Sequence, residues 1–540
     1  MARNLDADLK TLRTVLEYAQ NRDFVRAAAL AQQTLADGFE HPLLLNVLAT
    51  RLEQQNKLGE ALNLLQRAVA IAPGDIGARN ALALCLQRLE RPAEALVHIE
   101  ELLKTQPQLA FVHANKGNAL IALGNLGDAR RSHLRALELE PNNLAALASL
   151  ASIATQRGEH GEARRFASQA LQLAPGFPDA ILSIAAADLA EGEGAKAEAA
   201  LHGLIADSRA GAWDRARASG LLGDVLDAAA RYPQAFDCYT TCNQALQQIH
   251  RNYADGGSVT KFARSLTRAL DAVASSAWPE PERFVESATD PSAHIFLIGF
   301  PRSGTTLLEV VLDGHPQVVS VEEHELLTDG VLRYMREPLN LEPLAAAGPD
   351  QLEELRAAYW SGVRRTGIAV AGKVFIDKHP LNTLKLPLIA KLFPKAKVLF
   401  AVRDPRDVIL SCFRRRFKMN PAMYELLSLS GAAGLYDAVM NFADAAKLKL
   451  NLDWCEVRYE GLVADFEPRV RALCDFMGLE WHAGMGDFAQ RVRNREHATP
   501  STAQLSRGFS TSSVEQWRHY EPQLQAIMPQ LMPWLQRFGY

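Results

Sequence analysis

The stretch Gly299-Phe300-Pro301-Arg302-Ser303-Gly304-Thr305-Thr306 has the G-x-x-x-x-G spacing and closing threonine of a phosphate-binding loop. At the start of a helix, the backbone N–H groups of such a loop converge and can cradle an anion. Thr305 stands where the lysine that reaches the β and γ phosphates of a nucleoside triphosphate would be, and a cation appears earlier instead, at Arg302. That departure argues against an ordinary kinase or ATPase. A second cationic region follows in VLFAVRDPRDVILSCF, where Arg403 ends an apolar run and Ser411 lies about two helical turns further on. From there to Lys418 the chain carries Arg403, Arg406, Arg414, Arg415, Arg416 and Lys418 against only Asp404 and Asp407. Arg414 to Lys418 reads as a solvated helix face, the usual meaning of a charge run. Arg403 reads differently, because open α/β sheets bind ligands at the carboxyl ends of their strands. Two separate anion sites imply a ligand phosphorylated in two places.

These residues need a scaffold that presents them together. HIFLIGF, just before the loop, is a continuous apolar run of the kind found in buried parallel strands, and LLEVVLDGH after it has a helical pattern. Further strands are expected at 373–377, 397–402 and 454–457, each followed by a helical stretch, so the economical fold is a doubly wound α/β domain with a parallel sheet over 292–540. Ahead of it, AWPEPERFVESATDP carries three prolines and no periodicity, which marks 251–291 as a helical extension and linker. The first half repeats. Pro73, Pro107, Pro141 and Pro175 are 34 residues apart, and Ala27, Ala61, Ala95, Ala129 and Ala163 keep the same register, with a looser continuation at Ala197 and Ala235. This pattern resembles the tetratricopeptide repeat over 10–250, which implies an α-solenoid of six or seven helical hairpins whose concave surface takes a peptide or protein. The array also serves as a dimerisation or spacing scaffold in the plainer reading. Cys238 and Cys242 are expected to be packed helix residues rather than half a metal site.

Length and composition bound the rest. The chain of 540 residues is long enough for a repeat array plus a catalytic domain. With 58 Lys+Arg against 62 Asp+Glu, the formal charge of −4 gives no general attraction to nucleic acid. The six cysteines are scattered without CxxC spacing, so reduced thiols in a cytoplasmic, reducing compartment are expected. Asp6 and Asp8 interrupt any signal-peptide core, and no run reaches the roughly 18 apolar residues of a membrane span.

Together the two motifs resemble a sulfotransferase using 3′-phosphoadenosine 5′-phosphosulfate, most of all the tyrosylprotein sulfotransferase branch, over roughly 293–540. The resemblance implies that Arg302, Ser303, Gly304, Thr305 and Thr306 bind the 5′-phosphosulfate, and that Arg403 and Ser411 contact the 3′-phosphate. In LDGHPQVVSVEEHELL it makes Glu323 the general base. In FIDKHPLN, Lys378 matches a lysine beside the transferring group; in VRYEGLV, Tyr459 matches a nucleotide-contacting tyrosine. TPSTAQLSRGFSTSSVEQWRHYE matches the closing segment, with Ser501 a further phosphate contact. Gln516 departs from the basic residue expected before Trp517, leaving Arg507 or Arg518 as candidates for that charge. The catalytic set is then Glu323, Lys378 and Arg302. Plainer readings accompany these roles: Glu322 and Glu323 could open a helix, Lys378 could pair with Asp377 or another acid, Tyr459 could be a strand-end aromatic, and His324 or His379 could be the base instead.

Sulfuryl transfer is close to phosphoryl transfer, an in-line displacement governed by positioning and electrostatics. A sulfuryl group carries less negative charge than a terminal phosphoryl group, so fixed cations and amides suffice and no metal is expected. The implied protein combines an N-terminal repeat α-solenoid with a P-loop-like sulfotransferase domain. It moves the sulfuryl group to a hydroxyl, with protein tyrosine first among acceptors and glycan, lipid or small-molecule hydroxyls behind it. A homodimer is compatible with the array. The competing class is a nucleotide-binding scaffold without turnover.

Overall fold

The computed structural model describes residues 5–255, 257–278, 291–494 and 513–540. It divides into two compact units, one running to Ala190 and the other beginning at Glu191. In the first unit, helices begin at Pro42, Ile76, Ala110, Leu144 and Pro178, keeping the 34-residue period of the prolines. Each proline follows a helix, ending at Ile71, Thr105, Leu139 or Leu173. Lacking an N–H, proline does not extend the helix. After Pro73 and Pro141 an acceptor side chain opens the next helix: Asp75 and Asn143 take the N–H groups of Ala78 and Ala146 at 2.7 and 3.0 Å. Ala27, Ala61, Ala95, Ala129 and Ala163 are all fully buried, so the small residue in each period is where helices approach closely. The second unit keeps that register at Ala197 and shifts it by four residues at Ala235, both also fully buried.

The period ends in the second unit because its hairpin, Ala212–Ala228 with Tyr232–Ile249, has helices of 17 and 18 residues rather than the 13 or 14 typical before it. After the short helix Asn252–Asp255, the helix Val259–Ala272 buries Ala263, Leu266 and Leu270 completely in the core on one face of the sheet, packing on the long helix Leu429–Lys449.

Among the described residues the sheet has five parallel strands: β1 Ala293–Gly299, β2 Val318–Glu322, β3 Val374–Lys378, β4 Lys397–Val402 and β5 Asp453–Arg458, ordered β2-β3-β1-β4-β5. Phe296, Ile298, Phe375, Val398 and Phe400 enter one core, while Ile295, Leu297, Ile376, Leu399 and Ala401 enter the other with the helices Thr305–Leu312 and Phe466–Met477. Burial on both faces is why these strands read as unbroken apolar runs. β2 was not expected from the sequence. Where Glu322 and Glu323 were open to reading as a helix start, a strand ends instead, paired in register with β3 so that Glu322 lies beside Lys378, and the next helix begins only at Thr328. Valines at 318, 319 and 321 favour the pleated edge strand over a helix.

From β1 the chain runs to β2 on one side of the sheet, and from β4 it runs to β5 on the other. The crevice between the carboxyl ends of β1 and β4 is therefore the topological switch point, where such sheets hold ligands.

Candidate active site

The glycine loop and Arg403 flank that crevice. Gly304 adopts φ 99° and Arg302 φ 71°. For Gly304 the left-handed backbone is compounded by space, since a Cβ there would stand 2.7 Å from Tyr459 Cδ2. For Arg302 the same region is strained, and non-glycine residues persist there chiefly at functional sites. Its side chain crosses the crevice: Arg302 Nε donates to Ser411 Oγ at 3.0 Å. Arg403, next after β4, donates from Nη1 to Arg302 O at 3.2 Å and from Nη2 to Ser513 O, while its guanidinium lies 4.8 Å from the centre of the Tyr459 ring. Tyr459 in turn shares a 2.7 Å hydrogen bond with Ser513 Oγ. Arg302, Gly304, Arg403, Ser411 and Tyr459 thus form one contiguous group.

Its electrostatics suit an anion. Burial, then the nearby Arg415 and Arg403, push Arg302 down to about 9, so that it remains charged at neutral pH. Asp407, 3.7 Å from Arg403, is pushed up to about 6 by burial. Its oxygens accept from the N–H groups of Glu515 and Trp517, both at 2.8 Å, and so hold the closing segment in place. Two buried polar atoms beside the loop, Ser303 Oγ and Arg403 Nε, have no hydrogen-bond partner among the described residues. Such groups are costly unless something pairs with them, and a phosphate-bearing ligand would. The residues present therefore fit a doubly phosphorylated nucleotide.

A second group lies at the carboxyl ends of β2 and β3. Lys378 is completely buried, and its Nζ lies 2.7 Å from Glu322 Oε1, 3.0 Å from Glu323 Oε1 and 3.3 Å from Glu309 Oε2. Burial opposes the lysine charge, but the three carboxylates outweigh it and hold Lys378 above its ordinary range. Asp377 is not among its partners. Glu309, from the helix that follows the glycine loop, is only 1% exposed, whereas the Glu323 side chain is 52% exposed. Glu323 also adopts φ 53° and donates its N–H to Lys378 O at 2.7 Å. A carboxylate anchored at backbone and side chain yet open to solvent is well placed to accept a proton. The two histidines are otherwise engaged: His324 Nδ1 lies 2.9 Å from Glu322 O, and His379 Nε2 lies 3.2 Å from Glu325 Oε1.

Asp377 belongs to a buried network behind the site, accepting from Tyr359 at 2.8 Å and Asn382 at 3.3 Å, with Tyr359 also 2.9 Å from His294 Nε2. Burial raises Asp377 from 3.8 to about 6. A carboxyl that holds its proton more tightly when folded stabilises the fold fully below about 3.8 and loses that contribution as pH rises through about 6. Asp377→Asn should therefore gain stability relative to the parent between about pH 4.5 and about pH 7.5, measured by urea unfolding. An unchanged difference at the two pH values would refute it.

Several residues depart from the sequence reading. The Arg414–Lys418 run is only partly a solvated face: Lys418 is exposed, but Arg414 pairs with Asp227 at 2.7 Å and Arg416 with Asp224 at 2.5 Å, both on the helix Ala212–Ala228. Gln516 accepts from Arg414 Nη1 at 3.0 Å, so a basic group does meet that position, reaching it from another element. Arg518 pairs with its exposed neighbour Glu515, and Ser501 and Arg507 lie outside the described residues. Glu309, Asp407, Ser513 and Asp227 were missed. For Glu309 a signal existed: an acid inside the apolar helical run TTLLEVVL needs a buried partner.

This parallel sheet, opening through a glycine loop onto a crevice lined by two arginines, defines an anion-binding α/β domain of P-loop-like architecture. The sulfotransferase family model matches residues 294–483, and a tetratricopeptide repeat model matches 52–114. A putative protein-tyrosine sulfotransferase of Caenorhabditis briggsae is 30% identical over 232 residues, 41% of this chain and 80% of that protein. Protein-tyrosine sulfotransferase 1 of Danio rerio is 25% identical over 258 residues, 46% of this chain and 72% of its own. An uncharacterised protein of Aquifex aeolicus is 26% identical over 327 residues, 58% of this chain, which spans 41% of that protein's length. The chain belongs to the sulfotransferase family and carries tetratricopeptide repeats ahead of its transferase domain.

Proposed function

We propose that this sulfotransferase uses 3′-phosphoadenosine 5′-phosphosulfate as donor and a protein or peptide hydroxyl as acceptor, with tyrosine first among acceptors. The observation that carries the reading is the joined pair of cationic sites at the switch point, Arg302 on the loop and Arg403 after β4, linked through Ser411 and the Arg302 carbonyl. When bound, the donor would supply an activated sulfuryl group on a nucleotide carrying both 5′ and 3′ phosphates. Arg302, Ser303, Gly304, Thr305 and Thr306 hold its 5′ end, while Arg403, Ser411 and Tyr459 hold its 3′ end, with Ser501 assigned there by resemblance. Glu323 receives the acceptor proton. Lys378 fixes that carboxylate and, with Arg302, offsets charge on the transferring oxygens. The tyrosine assignment draws on the names of the animal relatives, and the repeats offer the surface a macromolecular acceptor needs.

Arg403→Ala should weaken adenosine 3′,5′-bisphosphate by about 1.5–3 kcal/mol, the range for hydrogen bonds to charged groups, and hardly affect adenosine 5′-phosphosulfate, which lacks the 3′-phosphate. Equal losses for both ligands by calorimetry would remove the 3′ assignment. With radiolabelled donor, the full chain should label tyrosyl peptides far better than a small phenol. Labelling confined to glycan or lipid fractions of a cell extract would replace the acceptor, and nucleotide binding without any transfer would favour the scaffold.

A further inference from the structure

The last repeat hairpin makes polar contacts with both segments that close the donor crevice. Asp227, near the end of the helix Ala212–Ala228, accepts from Arg414 Nη2 at 2.7 Å through Oδ2 and from the Tyr520 hydroxyl through Oδ1. Arg414 ends the helix Pro405–Arg414, which carries Ser411, and its other nitrogen donates to Gln516. Tyr520 and Gln516 belong to the closing segment, whose Ser513 meets Arg403 and Tyr459 and whose Glu515 and Trp517 N–H groups are held by Asp407. One carboxylate therefore ties the end of the helix that carries Ser411 to the closing segment.

The rest of the hairpin surface is built for the same contact. Asp224 pairs with Arg416 and accepts from the Tyr239 hydroxyl at 3.1 Å. Asn243 donates to Phe413 O at 2.9 Å in a buried setting, and Phe236 stacks on Phe413 with ring centres 5.1 Å apart. Tyr232 stacks on His519 at 4.3 Å. At Gly220 a Cβ would fall 2.7 Å from Arg416 Cδ, so the missing side chain leaves room for that arginine.

We infer that Asp227 is a positioning residue for donor binding, so that the final repeat hairpin is a working part of the nucleotide site as well as the end of an acceptor-recruiting array. The inference rests on the donor reading above. It acts through Arg414 and Tyr520 and touches no donor atom itself. Arg403 is poised for a 3′-phosphate only while Ser513 stays in place, and Ser513 stays in place while the segment through Tyr520 is tied down.

The test uses the full chain. Asp227→Asn keeps the shape and removes the charge, and Tyr520→Phe removes only the hydroxyl donor. Both should speed amide hydrogen exchange across 513–520 without nucleotide. Both should raise the Kd for adenosine 3′,5′-bisphosphate about tenfold for Asp227→Asn and severalfold for Tyr520→Phe. KM for the donor should rise likewise, while kcat at saturating donor stays near the parent value because the Glu323–Lys378 cluster is untouched. Asp227→Glu should recover part of the loss. Unaltered exchange, or faster exchange with unaltered nucleotide affinity, overturns the inference; a kcat loss at unchanged donor KM does so too. If the parent chain binds no adenosine 3′,5′-bisphosphate, the donor reading fails instead, and the exchange comparison alone still decides whether Asp227 holds the segment. Tyr520→Phe provides that comparison if Asp227→Asn does not fold.

Discussion

Glu323→Gln is expected to lower turnover by about 10²–10⁴-fold while leaving donor affinity nearly unchanged, the span a positioned general base contributes. Of the three carboxylates around Lys378, Glu309 is sealed in the core and Glu322 ends β2 with little exposure, whereas Glu323 opens to solvent. An acceptor hydroxyl arriving from solvent therefore meets Glu323 first. Glutamine keeps the size of the side chain and can still accept from Lys378, so a loss confined to kcat isolates the proton-accepting step. Steady-state rates with saturating donor, together with calorimetric binding of adenosine 3′,5′-bisphosphate, check it. Undiminished turnover would pass the base role to His324 or to water.

Lys378→Met should destabilise the transferase domain by about 3–5 kcal/mol, the cost of leaving a buried charge without its partner. Lys378 lies 3.3 Å from Glu309 and 2.7 Å from Glu322, and its removal takes that positive charge away from a Glu309 carboxylate that is only 1% exposed. The sign of the pH response follows. Without the lysine, these carboxyls take up protons more readily folded than unfolded, so the variant's deficit should shrink as pH falls toward about 5. Adding Glu309→Gln should restore much of the loss at neutral pH, because the most deeply buried of the three carboxylates is then neutral. Denaturant midpoints for the single and double variants decide this. A small deficit that is flat with pH would mean that water reaches the cluster and the charges are solvated.

The glycine loop and Arg403 were legible in the sequence because their signals are local: fixed glycine spacing after an apolar run, and a cation at a strand's end. The repeat was legible because its prolines and alanines recur, and the structure puts each of those alanines at a site of complete burial. The meaning of a charge depends on its partner, however, and partners can be remote. Arg414 meets Asp227 across 187 residues of chain, so its run looked like a solvated face. Lys378 was recognised through family resemblance, yet that it faces three carboxylates rather than Asp377 depends on the register of β2 against β3. β2 itself is short, and its acids lead straight into HELL, which hid an edge strand behind an apparent helix start. Asp407 accepts from main-chain N–H groups and Ser513 accepts from Arg403 through its own carbonyl, contacts with one partner on the main chain that side-chain spacing does not encode.

The helix Val259–Ala272 buries its apolar stripe beneath the sheet, one short helix beyond the hairpin that carries Asp227. Its location limits how such a protein can change length over evolution. Duplication or loss of a 34-residue unit before Ala190 removes no residue from either core of the sheet. A deletion that removes 212–272 strips away the partners of Arg414, Arg416 and Tyr520 and uncovers apolar surface on the sheet's own core. Gain and loss of repeats should therefore concentrate in the first unit, with the last hairpin and the helix behind it inherited together with the enzyme.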